Sequence, residues 1–164
     1  MESKAPWWRG SRGEWYVVAQ GFLFALVIFG PRTGLGLTAW AEPYAAWAKF
    51  IGLVLMIAGC ALAVAGLLGL GRANLTALPY PRAESTLVVS GPYRLVRNPI
   101  YSGLIFSALG WALWVNSWLT LGYALALFAF FDAKSRREER WLAEKFPDYG
   151  AYQRRVKKLI PWVY

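Results

Sequence analysis

Histidine is absent from this chain of 164 residues, and cysteine occurs once, at Cys60. The first absence removes the side chain whose ordinary pKa best suits proton transfer near neutrality, and it excludes imidazole metal sites. No metal is expected. A single cysteine excludes any disulfide within the chain, and Cys60 lies inside an apolar run, where a thiol packs as a small hydrophobe. Acidic residues are scarce as well: 9 Asp and Glu against 18 Lys and Arg, for a formal net charge of +9. Met1 to Glu14 is polar and aromatic with no small-residue cleavage site, so no secretory signal is read there.

Apolar residues fill the space that charge leaves. They make up 57% of the chain, with 10 Trp among them, a balance too apolar for an ordinary soluble domain. Four apolar runs predict transmembrane helices over about 15–30, 45–71, 99–115 and 117–133. The fourth is apolar as far as Phe131. A helix needs ~20 residues to cross ~30 Å of hydrocarbon, so the second spans with ease and the others are short. Only Asn116-Ser117 separate the last two, which predicts a helical hairpin. The predicted fold class is all-α integral membrane: about four transmembrane helices in a single domain over 1–164, with a helical tail over 134–164.

The basic residues set the orientation. All but Arg32 and Lys49 fall in the N-terminal tail (Lys4, Arg9, Arg12), in the loop between spans two and three (Arg72, Arg82, Arg94, Arg97), or after span four. With four spans these share one face, which the positive-inside rule makes cytoplasmic, with both termini inside. Trp7, Trp8, Trp15, Trp40, Trp47, Trp114 and Trp118 sit near span ends, as an aromatic belt would. The localisation expected is an inner membrane of bacterial or archaeal type. Basic residues beside spans meet anionic headgroups, so the +9 charge does not call for nucleic acid.

Small residues mark where helices approach. Gly52, Gly59 and Gly66 recur every seven positions in span two, with Ala63 on their face, and Gly103, Ser107 and Gly110 form a stripe in span three. Both stripes predict helix–helix contact faces, and they also suit contact between two copies. The run Gly66-Leu-Leu-Gly-Leu-Gly71 is not a nucleotide loop, because it ends an apolar helix with no strand before it.

Chemistry concentrates in two segments. The loop over 72–90, with Asn74, Pro79, Pro81 and Ser85, is predicted to be irregular. Ser90-Gly91-Pro92 then turns the chain towards Asn98-Pro99, which predicts a helix with proline in its first turn and Asn98 as N-cap. Arg94 and Arg97 flank this start, and on this segment alone snorkelling arginines and a polar site fit equally. Beyond span four, Glu138 and Glu139 stand in a basic, helix-favouring stretch. Leu142, Phe146, Tyr149, Tyr152 and Val156 follow as a stripe facing something apolar. The two acids suit either a surface salt-bridge network or hydrogen bonds from a ligand.

Together these residues resemble the isoprenylcysteine carboxyl methyltransferase and phospholipid methyltransferase superfamily of integral membrane enzymes. The resemblance rests on Gly91-Pro92-Tyr93, Arg97-Asn98-Pro99-Ile100-Tyr101-Ser102-Gly103, Glu138-Glu139-Arg140-Trp141-Leu142, Phe146, Tyr149, Tyr152, Val156 and Pro161. It implies S-adenosylmethionine bound in the C-terminal half under the tail, and a lipophilic small molecule or lipid entering from the bilayer, with membrane lipids as the other partners. Carried over by position, Tyr93, Arg97, Asn98, Pro99, Tyr101, Gly103, Glu138, Glu139, Tyr149 and Tyr152 belong to the cofactor pocket, and Arg97 and Glu138 to catalysis. Where the superfamily has His, this chain has Asn98, which donates and accepts hydrogen bonds but cannot shuttle a proton. Two alternatives are carried forward: an NADPH-dependent membrane reductase of sterol-reductase type, and a non-enzymatic scaffold of the same fold.

Overall fold

The computed structural model describes residues 14–71, 74 and 85–164. Lys4, Arg9, Arg12, Arg72, Arg82, Trp7, Trp8, Pro79 and Pro81 lie outside the described residues. Among the described residues five α-helices follow in order: α1 Glu14–Phe29, α2 Tyr44–Leu70, α3 Pro99–Trp114, α4 Trp118–Lys145 and α5 Tyr149–Arg155, with a short 3₁₀ turn at Gly91–Arg94 before α3. One of them, α2, is long and apolar enough to cross a membrane; α1 and α3 are shorter apolar helices of 16 residues. At 1.5 Å per residue α2 reaches about 40 Å, whereas α1 and α3 reach about 24 Å.

α2 carries the physical argument for a membrane. Ala45, Gly52, Gly59 and Gly66 are its buried residues, a single stripe of the smallest side chains. Around the rest of the helix Trp47, Phe50, Ile57, Val64 and Leu68 are exposed. A water-soluble fold buries such a helix on most sides, while hydrocarbon accepts it as it stands.

Glycine is unfavourable within a helix by ~1 kcal/mol, yet here it brings two backbones together. A Cβ at Gly52 would lie 2.6 Å from the Gly110 carbonyl oxygen, and one at Gly59 would lie 2.6 Å from those of Gly103 and from the Ser107 hydroxyl. Gly66 meets Pro99 and Ile100. Residues 52, 59 and 66 thus face 110, 103 and 99, so α2 and α3 run antiparallel in direct contact. The two predicted stripes therefore serve one another inside the chain. Gly59→Val is expected to cost at least the ~1–3 kcal/mol typical of overpacking, because backbone cannot yield as a side chain can. A fall in thermal unfolding midpoint relative to Gly21→Ala, where nothing lies within 4 Å, checks it.

α1 packs on α4, and the core joins Val27, Ile105, Ala108, Ala124, Leu127, Phe131 and Leu159. Trp111 Nε1 donates to the Val27 carbonyl at 3.0 Å, tying α3 to α1. The α3–α4 turn is tight because Asn116 adopts φ +55°, a left-handed conformation that asparagine tolerates. Its side chain pairs with both backbone groups of Trp40, at 2.8 and 3.1 Å. Ser117 caps α4 by accepting from the Thr120 amide and donates to the Arg32 carbonyl.

α4 runs on past its apolar part to Lys145, as the helix-favouring sequence suggests. The tail departs from a continuous stripe, however. Phe146 is extended, in keeping with the restriction a following proline imposes, and α5 restarts at Tyr149. Residues beyond Arg155 are not helical: Val96 bridges to Lys157 as a short parallel strand contact.

Candidate active site

Beside the C-terminal end of α2 and the start of α3 lies a cavity of about 300 Å³. Its wall combines Val17 and Gln20 of α1, Leu67 and Leu70 of α2, the segment Ser85 to Val88, and the α3 start from Arg97 to Tyr101. Lys134, Glu138 and Leu142 of α4 complete it with Tyr93, Tyr149 and Tyr152. Of the predicted site residues, Tyr93, Arg97, Asn98, Pro99, Tyr101, Glu138, Tyr149 and Tyr152 meet there.

The two adjacent acids face different ways, since one helical residue turns 100°. Glu139 turns to the tail. It takes a bidentate pair from Arg97, Nε to Oε1 at 2.9 Å and Nη2 to Oε2 at 3.1 Å, with both side chains largely buried. Asn98 Nδ2 and Gln153 Nε2 donate to the same carboxylate at 3.1 and 3.2 Å. Arg97 Nη1 donates further to the carbonyls of Gln153 and Val156. Arg97 and Asn98 backbone amides bind the carbonyls of Lys157 and Lys158. Burial pulls the guanidinium pKa down, but the Glu139 carboxylate outweighs it and leaves the value raised. Arg97 lines the cavity while its hydrogen bonds latch the tail.

Glu138 faces the cavity instead. Tyr101 OH donates to its Oε1 at 2.7 Å. Burial lifts its carboxyl from 4.5 to about 7, against the Tyr101 hydrogen bond and the Lys134 charge, which favour ionisation. Such a group takes up or releases a proton at neutral pH. Desolvation likewise raises Tyr93 and Tyr149, and pushes Tyr152 up to about 12, so all three stay protonated phenols. Tyr152 OH binds the Tyr93 carbonyl at 2.6 Å, and Tyr93 OH the Gly66 carbonyl at 3.2 Å.

Three expectations need correction. Glu139 is not among the residues lining the cavity, because Arg97, Asn98 and Gln153 engage its carboxylate on the tail side. Gly103 does not line the cavity: it faces Gly59 and Ala63 of α2, so it shapes the site only by letting α2 approach. Asn98 stands at the N-cap of α3 but makes no side-chain cap, because its amide donates to Glu139 and to the Lys158 carbonyl. Arg94 is exposed.

Other lining residues were missed. Lys134 sits one helical turn before Glu138, and Leu142 one turn after, so i, i+4 spacing puts the three on one face. Gln20 is a lone amide within the apolar α1, a signal of function in a membrane helix. Asn74 accepts from the Thr86 amide at 2.8 Å and binds the Leu70 carbonyl, pinning the segment that covers the cavity.

Residues 47–149 match the phospholipid methyltransferase family. This chain belongs to it. The match runs from α2 to the start of α5 and so contains the α2–α3 contact, the cavity face of α4 and both acids. Similar proteins include the cobalt-zinc-cadmium resistance protein CzcN of Cupriavidus metallidurans, 32% identical over 153 residues, which are 91% of this chain and 62% of that protein. The protein-S-isoprenylcysteine O-methyltransferase of Xenopus laevis is 30% identical over 120 residues, 71% of this chain and 42% of that protein. The steroid 5-alpha-reductase DET2 of Gossypium hirsutum is 30% identical over 122 residues, 72% and 44% respectively. This family member thus spans less than two thirds of each relative's length. Among the described residues no group of three or more His, Cys, Asp or Glu could hold a metal ion.

Proposed function

We propose that this protein is an integral membrane methyltransferase that moves a methyl group from S-adenosylmethionine to a lipophilic carboxylate, thiol or amine. In this reading four helices span the bilayer, α3 and α4 form a hairpin, both termini are cytoplasmic, and the C-terminal tail closes the cofactor site. The membrane is an inner membrane of bacterial or archaeal type.

One observation carries the reading: a carboxylate and an ammonium, Glu138 and Lys134, line one cavity walled by aromatic and aliphatic side chains. That donor set fits S-adenosylmethionine, a zwitterion with a sulfonium cation and a ribose. The cavity is also of ligand size. Glu138 would take the amino or hydroxyl groups, Tyr faces would stabilise the cation, and Asn98 and Arg97 would fix the wall through Glu139. When bound, the cofactor supplies an already activated methyl group. What remains for the chain is orientation and exclusion of water, which together lower a barrier by ~7–11 kcal/mol. A carboxylate acceptor needs no base. An amine must lose a proton, and Glu138, not Asn98, is placed to receive it.

A second reading follows from the similarity to steroid 5-alpha-reductase: an NADPH-dependent reductase. Its cofactor carries several phosphate charges. Among the described lining residues only Arg97 and Lys134 are cationic, and Arg97 is committed to Glu139. Calorimetric titration of the detergent-solubilised protein with each cofactor separates the readings. Saturable binding of S-adenosylmethionine is expected, weakened ten-fold or more by Glu138→Ala (~1.4 kcal/mol). Binding of NADPH alone supports the reductase, and binding of neither supports a scaffold; either result overturns the methyltransferase.

A further inference from the structure

Among the described lining residues, Lys134 is the cation that no carboxylate of the chain holds in an ion pair. It stands just past the apolar part of α4, where a lysine ordinarily extends its ammonium to water. Here the residue is only 3% exposed. Nζ donates to Gln20 Oε1 at 2.8 Å and lies 5.1 Å from the centre of the Tyr101 ring. Among the described residues no carboxylate comes within ion-pairing distance of it. An ammonium has three N–H donors, and a buried charge is costly unless it is paired. Burial accordingly lowers the Lys134 pKa, with Glu138 opposing.

We propose that Lys134, oriented by Gln20, is a carboxylate-binding subsite on the α1 side of the cavity. Because Gln20 Oε1 accepts from Lys134, its N–H₂ group is left to donate. The pair then offers two donor centres from two helices, which suits the two oxygens of a planar carboxylate. A dianion is disfavoured by Glu138 on the next turn. The carboxylate has two possible sources, the aminocarboxylate of the methyl donor or an acidic lipophilic acceptor, and this choice of sources rests on the methyltransferase reading.

Titration calorimetry on the full chain in nanodiscs tests it with two probe pairs. S-adenosylhomocysteine and 5′-methylthioadenosine differ by the aminocarboxylate; dodecanoate and methyl dodecanoate differ by the free acid. The wild type is expected to prefer the acid-bearing member of at least one pair by ten-fold or more. Lys134→Met is expected to erase that preference and leave Kd for the acid-free member within two-fold, while Gln20→Leu reduces the preference several-fold. The pair that responds names the source. Because Lys134→Met removes an unpaired buried charge, its unfolding midpoint should stay level or rise, which a structural lysine would not allow. The proposal is overturned if the wild type shows no preference in either pair, or if both variants keep it. Failure of the nucleoside pair to bind, with a Lys134-dependent dodecanoate preference, sinks the methyltransferase reading and leaves the subsite standing.

Discussion

Glu138→Gln is expected to lower turnover by about 10²–10⁴-fold when the acceptor must lose a proton, the usual worth of a positioned general base. With a carboxylate acceptor the loss should appear in cofactor affinity instead. The change is nearly isosteric, and the amide still accepts from Tyr101 OH, so folding should survive. The pH dependence gives a second readout. Burial lifts the Glu138 carboxyl from 4.5 to about 7, so the ionised form, and with it activity, should rise as pH passes 7. That rise should vanish in the Gln variant. The sign for stability is the reverse. A folded value above the unfolded one means that the folded state holds the proton more tightly. Stability therefore falls as pH rises from about 4.5 to about 7, and Glu138→Gln should flatten the unfolding midpoint over that window. An unchanged activity profile in the variant would contradict the role.

Arg97→Ala should be the most damaging single change to the fold of the site. It removes a bidentate partner from the largely buried Glu139 and also frees the carbonyls of Gln153 and Val156. Removing one member of a buried ion pair typically costs ~3–5 kcal/mol, because the other charge stays behind. Arg97→Lys should rescue poorly, since an ammonium cannot reproduce the fork. The double variant Arg97→Ala, Glu139→Ala should cost less than the sum of the two single changes, as for residues that share one interaction. Limited proteolysis would show the mechanism: cleavage around 150–160 in Arg97→Ala under conditions where the wild type resists. Additive losses with a protected tail would argue against the latch.

Much of this arrangement was legible in the sequence, and for identifiable reasons. Hydrophobic runs placed α1, α2 and α3 to within a residue or so, because apolar length is a property of composition. The glycine stripes read correctly as contact faces because only hydrogen at Cα permits such backbone approach. The assembly of Tyr93, Arg97, Tyr101 and Glu138 followed from the motif. Three things were not legible. Glu138 and Glu139 are identical in kind, and only the helix phase relative to the tail assigns one to the cavity and the other to Arg97. Gly103 belongs both to the motif and to the predicted contact stripe, and only the packing of α2 against it decides for the contact face over the cavity. Lys134 and Gln20 come together from residues 114 apart in sequence, and α1 lies outside the span that matches the family.

Asn98 is the departure that the structure explains best. Its amide donates to Glu139 and to the Lys158 carbonyl, so the position works as a strut between α3, α4 and the tail. A strut needs hydrogen-bond donors but no titration. The proton-accepting task, where an acceptor requires one, passes to Glu138.

The most direct measurement is transfer of labelled methyl from S-adenosylmethionine into lipophilic acceptors, with membranes carrying the wild type and Glu138→Gln compared side by side. Prenylcysteine analogues, lipophilic thiols and ethanolamine lipids cover the three acceptor classes. Label in the organic-extractable fraction of the wild type, falling steeply in the variant for at least one class, is the expected result. No label from any class, together with NADPH-dependent reduction of an unsaturated lipid by the same membranes, would contradict the methyltransferase.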